Sequence, residues 1–134
     1  MSNMVIDGRY LIKFTDFVTK YPEMAKLSKA LLGMLCNETK VFKKRIKNRD
    51  EILNIYLQPS TLEQLQKAMT FTRAYNRANG KTYDELKKVY DKKMLSKRLI
   101  GRLCSNNILL SEHIENRVYL IDETQFAHFM QIFL

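Results

Sequence analysis

The chain has 134 residues, 46% of them hydrophobic, and carries 23 Lys and Arg against 14 Asp and Glu for a formal charge of +9. The length suits one ordinary domain or two very small ones sharing a core, and the apolar content argues against a disordered chain. The cation excess favours a polyanionic partner, nucleic acid first and an anionic membrane surface second, and no apolar run approaches the roughly 18 residues that span a bilayer.

Residues 1 to 8 read as a short lead, and Asp7 and Arg9 around a short apolar piece do not make a signal peptide. Tyr10 to Phe14 suits a short strand or the start of a helix. Thr15-Asp16 has N-cap chemistry, with Phe17, Val18 and Tyr21 following at helical spacing. Pro22 stops that helix and suits the first turn of the next, expected over 24–37. From Lys40 the texture is β-branched and aromatic among basic residues. A turn signal at 47–50 and a second such run at 52–57 read as a β-hairpin, with a helical continuation over 40–57 as the rival.

Pro59-Ser60-Thr61 opens the longest expected helix, 60–78, with Leu62, Leu65, Met69 and Phe71 on its core face and Asn79-Gly80 as its stop. Thr82 and Glu85 have capping-box spacing at the head of a short helix. Asp91 is expected to cap a second amphipathic helix, 91–106, ended by Asn106-Asn107. A hairpin, 108–111 with 117–121, turns at Glu115-Asn116. The final helix, 123–134, gathers Phe126, Phe129, Met130 and Phe133 on one side.

Two of these helices carry the same phrase. Leu27-Ser28-Lys29-Ala30-Leu31-Leu32-Gly33-Met34-Leu35-Cys36 recurs at Leu95-Ser96-Lys97-Arg98-Leu99-Ile100-Gly101-Arg102-Leu103-Cys104, 68 residues later, with seven of ten positions identical. Leucines four apart stack on one side of a helix; in the second copy Lys97, Arg98 and Arg102 fall on the other, with Gly101 and Ser105 between them. Asp16, Lys20, Ile46, Asn48 and Arg49 fall on Asp84, Lys88, Ile114, Asn116 and Arg117 at the same offset, after which the first copy has about two extra residues. A period this long indicates a duplicated small domain rather than a solenoid, whose units run about 20–50 residues. Cys36 and Cys104 hold matching apolar positions and read as core residues in a reducing compartment, not as a disulfide.

Each copy thus reads short helix, turn, basic helix, β-hairpin, closing helix, and this pattern resembles the winged helix-turn-helix family over nearly the whole chain. The best-matching unit is 82–121, with its second helix at 91–105 and its wing at 108–121. The resemblance implies an α+β, mostly helical protein of two fused winged helix-turn-helix units related by the offset of 68. The first is residues 1–58, incomplete at its N-terminal side, and the second is 59–134, the two sharing helix 60–78 as one rigid body. It also implies sequence-specific binding of double-stranded DNA, with the second helix in the major groove and the hairpin loop on phosphates.

The cations divide unequally between the copies. The second has Lys97, Arg98 and Arg102 on the helix, Lys92 and Lys93 in its expected first turn, and Arg117 on a weakly charged wing; the first keeps only Lys29 on the helix but has Lys43, Lys44, Arg45, Lys47 and Arg49 on the wing. Arg suits bidentate contact with guanine and Lys suits phosphate, so helix two is expected to read bases and wing one to hold the backbone, Lys44 included.

The expected role is transcriptional regulation in a cytoplasmic, nucleoid-associated setting, or in a nucleus for a eukaryotic or viral chain. Alternatives are a replication or plasmid-maintenance initiator and a tandem winged-helix adaptor that binds protein; exposed Ala30, Met34 and Met94 would suit the latter. The C-terminal phenylalanine stripe is core or, failing that, a homodimer face. No catalytic, cofactor or metal motif is present: His113 and His128 lack ligands at metal spacing, and four glycines form no phosphate loop.

Overall fold

The computed structural model describes residues 3–6, 8–39, 41–47, 53–70, 75–116 and 118–132. The chain divides into two compact units, Met1–Lys67 and Ala68–Leu134. In the first, β1 (Asn3–Ile6) precedes β2 (Arg9–Lys13), α1 (Phe14–Lys20), a 3₁₀ turn (Pro22–Lys26), α2 (Lys29–Glu38), β3 (Lys43–Lys47), β4 (Leu53–Leu57) and α3 (Pro59–Met69), the division falling inside α3. The second repeats the order from β2 onward: β5 (Gly80–Lys81), α4 (Tyr83–Tyr90), a 3₁₀ turn (Asp91–Lys93), α5 (Lys97–Ser105), β6 (Ser111–Glu115), β7 (Val118–Asp122) and α6 (Glu123–Gln131). The described residues form an α+β protein with two antiparallel sheets, ordered β1-β2-β4-β3 and β5-β7-β6.

Register carries the repeat into the sheets. Ile12 and Lys13 stand opposite Leu57 and Tyr56; Gly80 and Lys81, each 68 residues later, stand opposite Asp122 and Ile121. An antiparallel strand pair follows each matched helix, so residues 43–47 and 53–57 are strands and not parts of a continued helix. Five residues of the chain separate Lys47 from its partner Leu53 and two separate Glu115 from its partner Val118, a difference of three where about two are expected. Residues 3–6, expected as a lead, pair with Arg9 to Ile12 of β2.

Both matched helices start later than expected, and for the same reason. Ser28 and Ser96 have extended backbones, ψ 160° and 151°, and their hydroxyls accept the N–H of Leu31 at 3.1 Å and of Leu99 at 3.2 Å. An N-cap serine ends the preceding chain's helical path while satisfying an orphan donor. The expected helices 24–37 and 91–106 therefore become 29–38 and 97–105, each preceded by a 3₁₀ turn. Asp91, expected as a cap, instead turns the chain after α4 with φ +50°. The Thr82–Glu85 capping box is present, Glu85 N–H donating to Thr82 Oγ1 at 3.3 Å and Thr82 N–H to Glu85 Oε1 at 3.1 Å.

Other boundaries move as well. The expected helix 60–78 ends at Met69. Phe71 lies outside the described residues, and Asn76 starts a short 3₁₀ turn through its side chain, which accepts the N–H of Ala78. Gly80 does not end α3; it closes only the short 3₁₀ turn Arg77–Asn79. It lies in β5, where a Cβ would sit 2.6 Å from the Tyr75 hydroxyl. Thr15-Asp16 is not a cap, because α1 already begins at Phe14. Ile108 and Leu109 are not strand: both N–H groups donate to the Leu103 carbonyl, tucking two buried side chains under the end of α5 before β6 begins.

The leucine rows do pack inward, Leu27, Leu31 and Leu35 in one unit and Leu95, Leu99 and Leu103 in the other, all at most 3% exposed. Cys36 and Cys104 are buried free thiols beside them. Phe126, Phe129 and Met130 are buried at 0–1% exposure, with Tyr90 edge-on to Phe126. The C-terminal stripe is thus core and not the homodimer face considered above, its fourth member, Phe133, lying outside the described residues.

Candidate nucleic-acid interface

α5 turns Leu99, Ile100, Leu103 and Cys104 inward, which leaves the intervening residues on the outside. Lys97, Arg98, Gly101, Arg102 and Ser105 form one wall of an open groove of about 630 Å³; Asn116 and Tyr119 of the following hairpin form the other. Among the described residues no acidic side chain lines it. The N-terminus of α5 adds its partial positive charge beside Lys97. The hairpin wall is held by its own contacts. Asn116 makes the turn with φ +48°, its carbonyl is bonded by His113 Nε2, and the His113 ring packs on Tyr119 with centroids 4.9 Å apart.

Three of the anticipated cations therefore converge on one surface. Lys92 and Lys93 do not belong to it as expected: they are exposed in the 3₁₀ turn before the Ser96 cap, not in the first turn of α5. Asn116 and Tyr119 were not anticipated as groove residues. Asn116 is legible only as a turn residue, and nothing in the apolar run Val118 to Ile121 singles out Tyr119.

The first unit puts cations at the corresponding face by another route. On α2 the positions matching Arg98 and Arg102 are Ala30, exposed, and Met34, half-buried, while Lys29 is half-buried. Here β3 supplies the charge. Arg45 lays its guanidinium over the backbone of Gly33, and Lys43 Nζ donates to Asn37 Oδ1. Partial burial, followed by the neighbouring Arg45 charge, pulls the Lys43 ammonium below its ordinary pKa. Lys44 is exposed, and strand alternation directs it to the opposite face of β3 from Lys43 and Arg45, so the basic wing is not one cluster. Lys47 lies in β3 with its side chain outside what is described, as are Arg49 and Arg117 altogether.

The cysteines are chemically quiet, burial pushing both Cys36 and Cys104 up to about 11. No group of three or more His, Cys, Asp or Glu able to hold a metal ion occurs among the described residues. Nor, among them, is any helix long and apolar enough to cross a membrane. Comparison of the chain with protein-family models, curated proteins and solved structures returns no match.

Proposed function

We propose that this chain binds double-stranded DNA through two winged-helix units, the second reading sequence and the first holding the backbone, and that it regulates transcription or initiates replication from a defined site. The observation that carries the reading is the convergence of Lys97, Arg98 and Arg102 on one groove that no acidic side chain lines among the described residues and whose far wall is Asn116 and Tyr119 of the hairpin. Helix, hairpin and groove stand in the order that lets a helix enter the major groove while a wing reaches the backbone. The same element order in both units, with helix-borne cations in one and strand-borne cations in the other, supports a division of labour between them.

Site selection from random duplexes near physiological salt tests this, followed by affinity measurement across a salt series. Binding should favour a defined motif, and log affinity should fall steeply and linearly with log salt concentration. Affinity that is indifferent to salt would overturn the reading. It would favour the protein-adaptor alternative, for which the exposed cross-strand pair Val5 and Tyr10, 70% and 50% accessible, is the specific support.

A further inference from the structure

Glycine occupies the middle of the exposed face of α5, and no neighbour among the described residues requires it. Among the described residues, a Cβ placed on Gly101 would meet no heavy atom within 4 Å beyond its chain neighbours and its own helix backbone. Inside a helix, glycine weakens the element relative to alanine, so the position carries a cost without a packing return. The other copy shows a use for the same residue. At Gly33, 68 positions earlier, a Cβ would lie 2.7 Å from Arg45 Nη2, because the guanidinium rests on bare helix backbone. The residue matching Arg45 in the second unit is His113, which is turned onto Tyr119 and the Asn116 carbonyl. What the chain fills from within at Gly33 is therefore open at Gly101, with Lys97, Arg98, Arg102 and Ser105 around it on the helix.

We infer that Gly101 is the point of closest approach to DNA and sets specificity by letting α5 seat deeply: the duplex lies against helix backbone there, which brings Arg98 and Arg102 within reach of base edges. The inference rests on the DNA-binding reading. A methyl group would lift the helix by about 1.5 Å, one carbon–carbon bond, and hydrogen bonds near 2.9 Å do not tolerate that displacement.

The test is Gly101→Ala in the full chain, with thermal unfolding measured beside binding to the selected duplex and to a random one. The expected result is a Tm raised by roughly 3 °C or more together with affinity for the selected duplex at least tenfold weaker and a smaller loss on random DNA. A variant that binds the selected duplex within twofold of the parent overturns the inference, as does a lowered Tm, which would deny the open space. If the parent chain binds no duplex in a salt-sensitive way, the DNA-binding reading itself fails and this inference with it; sensitivity to Arg102→Ala but not to Gly101→Ala sinks the inference alone.

Discussion

Arg102 and Arg45 are both exposed cations on a helix face, yet they arrive there from different elements and should behave differently when removed. Arg102→Ala is expected to lose about 1–3 kcal/mol on the preferred duplex and much less on random sequence, as bidentate base contacts do. Arg45→Ala should weaken both duplexes alike and lower the salt slope by about one. Affinity measurements on the two duplexes separate these outcomes, and equal losses for both variants would remove the assignment of reading to one unit and holding to the other. A residue of a different kind is Gln125, buried at 8% exposure in α6. Its Nε2 donates to the Ala68 carbonyl at 2.9 Å and the Ile108 carbonyl at 3.5 Å, and its Oε1 accepts the Leu110 N–H at 3.3 Å. Gln125→Leu keeps the volume but strands those backbone groups, so chemical denaturation should show a loss of about 1–3 kcal/mol. Nothing in the sequence marks this residue, because a lone glutamine on a helix usually faces solvent.

Among the elements, the matched helices were the most legible and their beginnings the least. Leucines four apart announced α2 and α5 and the faces they bury. The serine in each phrase falls within the leucine spacing of a longer helix, yet it is the residue that starts the helix. Apolar spacing runs on through Met24, Leu27, Met94 and Leu95 into the preceding turns, and side-chain capping decides the boundary where periodicity cannot. Ser96→Ala should cost about 1 kcal/mol by denaturant unfolding, and Ser28→Ala a similar amount. A loss well under half of that in both would mean the caps are redundant with packing. The hairpins are legible from β-branched texture and turn residues, but β6 begins three residues later than that texture suggests, because Ile108 and Leu109 look like strand and instead bond back to Leu103. The groove was half legible. Its helical wall could be read from a single amphipathic phrase, whereas Tyr119 and Asn116 come from a hairpin whose approach to that helix is tertiary.

For the molecule as a whole, each unit buries one thiol, and the two together impose an alkaline limit. Burial raises both from the ordinary 9.0 to about 11 in the folded chain. Below about pH 9 folded and unfolded chains both hold these protons and the cysteines contribute fully. Between pH 9 and 11 the unfolded chain releases protons that the folded chain keeps, so stability falls as pH rises. The urea midpoint should drop from pH 8 to pH 10.5, and drop less in the Cys36→Val, Cys104→Val chain; identical declines would exclude the thiols. The duplicated ten-residue phrase has a broader consequence. Its inward positions, apart from Leu32 against Ile100, and its serine are common to both copies, while Ala30 and Met34 stand where Arg98 and Arg102 stand. The surface can thus be rewritten without touching what keeps the helix in place. Transplanting Arg98 and Arg102 onto the first copy, or erasing them from the second, becomes an exercise in re-addressing a module whose scaffold stays the same.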